Sequence, residues 1–216
     1  MITTKTGLIL PRPLSYSSMT LWKRDKGGFR RRYYEGEKPF STPYTMFGKE
    51  IAESLERGEQ PKIPKYKESE VECKVEIGGV PVIGYLDSFD PKKKRILEYK
   101  TGIATPDGKP RWTGLLVAKH EQLPFYSMLV EEKYGEVHKE VRLLWLETEW
   151  GQVDKELFSE ELGMMLSMKV NRLRLTGTFE MFKRIIDPWE RELMRAWVKT
   201  SAEEIAEDYG KHITRN

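Results

Sequence analysis

Apolar positions in the first part of the chain follow a helical period. In MFGKEIAESLERG, the residues Phe47, Ile51 and Leu55 lie four positions apart, so that one helix face carries all three. Gly58 closes the pattern, as glycine commonly does after a last helical turn. Upstream, in LSYSSMTLWKRDKGGFRRRYY, Ser17 or Ser18 is expected to cap a short helix that the glycine pair at 27 and 28 ends.

The period shortens after residue 70, where three short apolar runs follow one another. VECKVEI, VPVIGYLDSF and RILEY are rich in β-branched and aromatic residues. The turn-forming pairs Gly78-Gly79 and Asp90-Pro91 separate the runs. The pattern therefore predicts three consecutive antiparallel strands.

The second half of the chain is predicted to add helices and one further strand. QLPFYSMLVEEKYG predicts a helix, residues 137–146 a buried strand, and the residues after Asp154 a mainly helical C-terminal region with breaks at Pro188 and Ser201. With a basic N-terminal helical arm, these elements define an α/β fold with a central mixed sheet flanked by helices. A chain of 216 residues, 38% of them apolar, predicts a single domain over residues 1–216.

Composition excludes some classes of protein. The formal net charge is only +3, so any nucleic-acid surface must be local. The single cysteine, Cys73, excludes an intrachain disulfide framework and predicts that the chain binds no iron–sulfur cluster and no cysteine-ligated zinc. The lack of a long apolar run predicts no membrane association and a cytoplasmic location, in a bacterial, archaeal or virus-infected cell.

The second and third predicted strands carry the residues best suited to catalysis. Asp87 ends the run PVIGYLD, while Glu98 and Lys100 lie two positions apart on RILEYK and therefore on one strand face. With a turn at residues 91–94, Asp87 approaches Glu98 across the hairpin. Two confined carboxylates need a cation, and hard oxygen ligands favour Mg²⁺ or Mn²⁺. Lys100 would orient an attacking water or stabilise charge developing on a phosphate.

The same three residues also fit a purely structural role. One third of the residues are charged, so an Asp followed a dozen positions later by Glu-x-Lys also arises by chance. In that alternative, the hairpin is solvated, and Glu98 and Lys100 form a surface pair. The order of the other motifs favours the catalytic interpretation.

Five motifs in a fixed order make the chain resemble a known family. LSYSSMTLW, FGKEIAESLE, GYLDSFD, ILEYKTG and QLPFY follow one another within residues 14–134. In this order they resemble the RecB-type branch of the PD-(D/E)xK nuclease superfamily, which includes CRISPR adaptation exonucleases and many phage exonucleases. The resemblance implies a restriction-endonuclease-like core and a metal-dependent DNA exonuclease that acts on single strands or duplex ends.

The resemblance also implies roles for individual residues. Asp87 and Glu98 would be metal ligands, the backbone carbonyl of Tyr99 would complete the inner shell, and Lys100 would be the catalytic lysine. The family's glutamine and tyrosine, which lie beside the active site and help to hold the substrate strand, correspond to Gln122 and Tyr126. DNA is the implied binding partner, together with a recombination or replication protein.

Three features of the sequence depart from the family pattern. The helix of residues 47–58 usually carries a metal-binding histidine four residues after its glycine, where this chain has Ala52. Glu53, or else Glu50, is the candidate replacement, although each also fits a solvated position. The single cysteine places the chain with the members that lack an iron–sulfur cluster. Pro124 is expected to delay or kink the helix between Gln122 and Tyr126 and so to disturb their alignment.

A basic and aromatic segment is the predicted nucleic-acid surface. Cations neutralise phosphates and aromatic faces stack on bases, a combination common where single strands are held. The alternative is an amphipathic arm whose aromatic side chains fill the core and whose arginines are solvated. The residues assigned to the surface are Trp22, Lys23, Arg24, Arg30, Arg31, Arg32 and Tyr33.

Two other functions stay open from the sequence. One is a catalytically weak nucleic-acid-binding or assembly module that kept the fold after losing its histidine, and the other is an endonuclease of the same superfamily. An intact set of Asp87, Glu98 and Lys100 argues against the first, because a binding module needs no carboxylate pair beside a lysine. Cleavage of a closed circle would distinguish the second.

Overall fold

The computed structural model describes residues 1–159 and 164–214, and a five-stranded mixed sheet forms its centre. A short ribbon, β1 (Ile2–Thr3) and β2 (Ile9–Leu10), precedes the sheet. The sheet contains β3 (Glu68–Ile77), β4 (Val80–Asp90), β5 (Arg95–Ile103), β6 (Glu140–Ser159) and β7 (Met164–Ile185), in that spatial order. Neighbouring strands are antiparallel except β5 and β6, which are parallel. The predicted mixed sheet, and its three consecutive antiparallel strands, are confirmed.

Helices cover both faces of the sheet. They are α1 (Tyr16–Arg24), α2 (Lys26–Tyr33), α3 (Pro43–Glu56), α4 (Gly114–Ala118), α5 (Gln122–Tyr134) and α6 (Pro188–Ile213). One core cluster joins β3 and β4 to α1, α2, α5 and α6, and includes the fully buried Met19, Phe29 and Met128. A second cluster packs α3 on the opposite face. In the described part of the chain, no helix is both long enough and apolar enough to cross a membrane.

The α3 helix forms as the spacing of its apolar residues predicts. Phe47, Ile51 and Leu55 are buried and pack against Leu97 of β5 on the second face of the sheet. Pro43 occupies the first turn, where its missing N–H is not needed. The packing of α3 onto β5 brings one end of this helix next to the strand that carries Glu98 and Lys100.

The first helix begins and ends earlier than predicted. Its N-cap is Ser15, whose side chain accepts from the backbone N–H of Ser18. Asp25 ends α1 and caps α2 by accepting from the backbone N–H of Gly28 at 2.8 Å. Gly27 and Gly28 therefore lie inside α2 and do not end the preceding helix. A cap supplied by an aspartate outweighs the helix-breaking tendency of the two glycines.

The prediction of a mainly helical C-terminal region is wrong for residues 155–159 and 164–185. Strand β6 continues to Ser159, and β7 runs back beside it over its whole length. These segments are rich in Leu, Met, Lys and Arg, which favour helix, yet pairing between the two strands decides the structure. Pro188 begins α6 as predicted, but Ser201 lies buried inside this continuous helix. For residues 160–163 and 215–216, the prediction lies outside the described residues.

Gly84 allows α5 to lie close to the sheet. A Cβ atom at Gly84 would lie 2.5 Å from Leu129 Cδ1 and 3.3 Å from Tyr126 Cε1, both on α5. We therefore expect Gly84→Ala to lower the free energy of unfolding by about 1–3 kcal/mol, because overpacking displaces the helix. Urea unfolding measures the loss. At Gly114, an added Cβ meets nothing within 4 Å, so Gly114→Ala is the control. Equal stability of the two variants would contradict the prediction.

Candidate active site

The two strands that carry the candidate catalytic residues pair over only three positions beyond their turn and then separate. Ladder pairing joins residues 88–90 of β4 to residues 95–97 of β5 and stops before Asp87. At this point, the backbone N–H of Tyr99 donates to Asp87 Oδ2 at 2.7 Å. The Asp87 carboxylate thus takes the position that a ladder hydrogen bond would occupy, and it is fixed in the gap between the strands. The turn falls at residues 91–94, as the sequence predicts.

The structure brings Asp87, Glu98 and Lys100 together at this gap. Lys100 Nζ lies 2.6 Å from Glu98 Oε1, so these two side chains share a face of β5, as alternation predicts. The side chain of Glu98 is 2% exposed and that of Lys100 is 26% exposed. All three residues line a cavity of about 360 Å³. A carboxylate this deeply buried is not part of a solvated surface pair, so the solvated hairpin that the sequence left open is wrong.

Burial and neighbouring charges shift the pKa values of both Asp87 and Lys100. Burial and the neighbouring Glu98 carboxylate raise the pKa of Asp87 well above its usual range. Burial alone would lower the pKa of Lys100, but the carboxylates of Glu98 and Asp87 outweigh it and raise that pKa. Lys100 is therefore a cation at neutral pH, and the carboxylate pair carries unfavourable charge that a bound cation would relieve.

One oxygen of the cluster lacks a partner. Glu98 Oε1 accepts from Lys100, whereas the buried Oε2 atom has no hydrogen-bond partner among the described residues. A buried polar atom without a partner costs about 1–3 kcal/mol, and more when it is charged. Within residues 1–159 and 164–214, no group of three or more His, Cys, Asp and Glu side chains is arranged to hold a metal ion. The carboxylate pair therefore needs a further donor, from the backbone, from water or from another side chain.

Gln122 and Tyr126 lie next to the lysine and are aligned. The side-chain oxygen of Gln122 accepts from Lys100 Nζ at 2.9 Å, and its amide nitrogen donates to the Tyr126 hydroxyl at 2.8 Å. Both residues line the cavity. The expected disturbance from Pro124 does not occur, because α5 begins at Gln122 and Pro124 falls in the first turn. A continuous chain of hydrogen bonds therefore runs from Glu98 through Lys100 and Gln122 to Tyr126.

Helix α3 forms another wall of the cavity, and it contributes no side-chain ligand there. Ala52 lines the cavity at the position of the family's histidine. Glu53 is half-exposed and lies 3.7 Å from Lys49, and Glu50 pairs with Arg172 of β7. Neither carboxylate is among the described residues that line the cavity. Glu53 as a metal ligand stays a prediction, and it requires that side chain to leave its ion pair.

The aromatic residues of the predicted nucleic-acid surface are packed in the protein. Trp22 is 3% exposed, and its indole N–H donates to Glu204 of α6 at 2.9 Å. Its ring is therefore not available to stack on a base, and for Trp22 the amphipathic-arm alternative is correct. Tyr33 is half-buried against Phe29, with the Arg12 guanidinium 5.0 Å above its ring.

The cations of the same segment divide into paired and unpaired groups. Arg30 binds Asp208 at 2.6 Å, Arg31 lies 3.2 Å from Glu37, and Lys23 lies 3.6 Å from Glu121. The remaining two, Arg24 and Arg32, are exposed and form no ion pair with a described residue. Because most of these cations already have acidic partners, the segment offers a smaller basic surface than its sequence suggests.

One acidic residue near the site was not found by the sequence interpretation. Glu70 on β3 lies opposite position 87 in the register of the β3–β4 hairpin. The signal was present in the sequence, because the tight turn at Gly78-Gly79 pairs Ile77 with Val80 and thereby fixes the register back to residue 70. The first apolar run that predicts a strand begins at Val71, one residue after Glu70.

The fold and the site together define the class of protein. A central mixed sheet in which two neighbouring inner strands present an Asp and a Glu-x-Lys in one cavity is the arrangement of a PD-(D/E)xK nuclease. Residues 22–213 match the family model of the PD-(D/E)XK nuclease superfamily. The chain belongs to this superfamily, which confirms the resemblance drawn from the motifs and the restriction-endonuclease-like fold. A search among curated proteins gave no match.

A structure search matched two solved structures over most of this chain. A phage related exonuclease from Haemophilus somnus 129PT has 14% sequence identity and a TM-score of 0.51, over 85% of this chain and 79% of that chain. A candidate exonuclease from Eubacterium rectale has 12% identity and a TM-score of 0.49, over 90% of this chain and 80% of that chain. At these identities, the likeness concerns the fold alone.

Proposed function

We propose that this chain is an Mg²⁺- or Mn²⁺-dependent deoxyribonuclease that acts as an exonuclease on single strands or duplex ends. The observation that carries the proposal is the cavity in which two carboxylates, Asp87 and Glu98, meet the ammonium group of Lys100. DNA as substrate and action at ends rest on the resemblance of the ordered motifs. The name of the similar Haemophilus somnus protein, a phage related exonuclease, agrees with action at ends.

The donor set of the cavity fits a hard divalent cation. Asp87 and Glu98 offer carboxylate oxygens, and Glu98 Oε2 is buried without a partner among the described residues. Tyr99 also lines the cavity, and we assign its backbone carbonyl as a third oxygen ligand. A bound cation would supply Lewis-acid polarisation of the phosphate and a more acidic water.

The residues of the chain supply position and charge in this proposal. Hydrolysis adds water to phosphorus and breaks one P–O ester bond, so negative charge develops on the phosphate oxygens. Lys100 is held protonated by Glu98 and Asp87 and therefore acts as a donor to the attacking water or to the phosphate, not as a base. Gln122 also accepts from the ammonium group, and it links Lys100 to the Tyr126 hydroxyl.

A second cavity gives the substrate strand a path away from the reacting phosphate. It has a volume of about 200 Å³ and shares Gln122 and Tyr126 with the first cavity. Its wall includes Arg12 together with the hydroxyl groups of Ser15 and Ser17, which suit a phosphate neighbouring the one that is cleaved. We propose that Arg12, rather than Trp22, is the group that engages the strand next to the active site.

The test is a cleavage assay with end-labelled single-stranded DNA, duplex DNA and closed circular DNA. We expect degradation of the linear substrates with Mg²⁺ or Mn²⁺, no degradation in EDTA, and an intact circle. Cutting of the circle would replace the exonuclease with an endonuclease. Full activity in EDTA would reject the metal-dependent mechanism. Binding of labelled DNA without cleavage under any metal would identify a nucleic-acid-binding module.

A further inference from the structure

A third carboxylate, that of Glu70, lies beside the Asp87–Glu98 pair. The residues before and after Glu70 are paired with the residues after and before Asp87, so Glu70 and Asp87 are opposite each other on β3 and β4. Opposite residues of an antiparallel pair point to the same face, with Cβ atoms about 4.5–5.5 Å apart. Glu70 therefore lies directly across the β3–β4 pair from Asp87, at the edge of the candidate active site.

Glu70 also interacts electrostatically with the same cluster. Partial burial and the carboxylates of Glu56 and Glu98 raise the pKa of Glu70. Glu70 in turn is among the charges that raise the pKa of Asp87. No hydrogen bond or ion pair joins its carboxylate to a residue within the described ranges. Three carboxylates and the ammonium group of Lys100 would leave a formal charge of about −2 at full ionisation, which one divalent cation neutralises.

The backbone at Glu70 has an unusual conformation. Its φ angle is +50°, in the left-handed region that favours glycine. Glu70 is the third residue of β3, and its side chain forms no hydrogen bond or ion pair with a described residue that would account for this conformation. Strained non-glycine residues that persist in this way cluster at active sites and ligand sites.

An independent observation points to a cation in the same space. Glu98 is 2% exposed and lines the cavity, and its Oε2 atom has no partner among the described residues. Lys100 is already engaged by Glu98 Oε1 and Gln122. A buried carboxylate oxygen without a donor is the position that a cation would satisfy.

We propose that Glu70 is a ligand of the divalent cation that Asp87 and Glu98 hold, directly or through a bound water, and that it supplies the donor that Ala52 cannot. The inference rests on the proposed function of the site. In the structure, the three carboxylates do not already enclose a metal position. The exposed Glu70 side chain must therefore turn inward when the ion binds, and it is free to do so because it has no competing partner in the described chain.

Binding of Mn²⁺ to the full chain without DNA tests this role, with free Mn²⁺ measured by electron paramagnetic resonance. We expect Glu70→Gln to weaken Mn²⁺ affinity by about tenfold or more. The matched control is Glu76→Gln on the same strand, whose carboxylate pairs with Lys5 at 2.8 Å near the far end of the β3–β4 hairpin. That control should bind Mn²⁺ like the wild type.

Asp87→Asn distinguishes failure of this inference from failure of the proposed metal site. If Asp87→Asn weakens Mn²⁺ binding and Glu70→Gln does not, Glu70 is not a ligand and the metal site stands. If Asp87→Asn also leaves the affinity unchanged, both ideas are overturned.

Glu70→Gly separates loss of a ligand from loss of structure. Glycine removes the carboxylate and adopts φ of +50° without strain, so affinity should fall while the thermal unfolding temperature does not. A Glu70→Gly chain that binds Mn²⁺ as tightly as the wild type would overturn the inference.

Discussion

Replacing Lys100 by Met is expected to lower the rate of DNA cleavage by about 10²–10³-fold. Methionine keeps much of the volume of the side chain but removes the charge that lies 2.6 Å from Glu98 and 2.9 Å from Gln122. Neither the attacking water nor the developing charge on the phosphate then has its donor. Single-turnover cleavage of end-labelled DNA at saturating Mg²⁺ measures the chemical step directly.

The same substitution should also destabilise the protein when no metal is present. Glu98 is 2% exposed, and without Lys100 its carboxylate would be buried with no counter-charge. Breaking a buried ion pair in this way costs on the order of 3 kcal/mol. Lys109→Met, which removes an exposed lysine paired with Asp107, is the control and should change neither rate nor stability. Wild-type cleavage by Lys100→Met would remove Lys100 from the mechanism.

Asp87→Asn is expected to lower the rate of cleavage strongly and yet to stabilise the fold. The amide oxygen of asparagine can still accept from the Tyr99 N–H, which is 2.7 Å from Asp87 Oδ2 in the wild type. The substitution removes a charge whose burial and repulsion by Glu98 are unfavourable. We expect a loss of activity of about 10³-fold and a rise in unfolding temperature of about 2–4 °C, the shift that ~1 kcal/mol produces in a chain of this size.

The stability difference between Asp87→Asn and the wild type should depend on pH. Because the folded-state pKa of Asp87 lies above its unfolded value of about 4, the folded chain holds the proton more tightly. Stability from this group is therefore complete at low pH and is lost as pH rises through the folded-state pKa. Asp87→Asn does not lose stability in this way. The difference in unfolding temperature between this variant and the wild type should therefore grow as pH rises from the unfolded-state pKa to the folded-state pKa of Asp87. Thermal unfolding in EDTA measures this difference. A constant difference would contradict the prediction.

The part of the site that follows from local periodicity was predictable from sequence. Alternation on β5 places Glu98 and Lys100 on one face, and the turn at residues 91–94 brings Asp87 toward them. Contacts that depend on where β4 and β5 separate were not predictable from sequence. The hydrogen bond from Tyr99 to Asp87 exists only because the β4–β5 ladder stops early.

Long-range pairing limited the prediction of the fold. Strand β7 contains many residues that favour helix, and its pairing with β6 depends on a partner that periodicity within β7 does not reveal. The same limit applies to the basic segment. Its arginines look like a nucleic-acid surface in sequence, but Arg30 lies beside Asp208 of α6, 178 positions away.

The ion pair between Lys100 and Glu98 also bears on how the protein reaches its working state. An ammonium group that belongs to the chain already balances one of the buried acids, so the polypeptide can complete its core before any ion arrives. Assembly and metal loading are then separate events. A metal ion that binds at the site must share Glu98 with the Lys100 ammonium group. This competition favours weak, reversible metal binding, whose occupancy follows the ion concentration in solution.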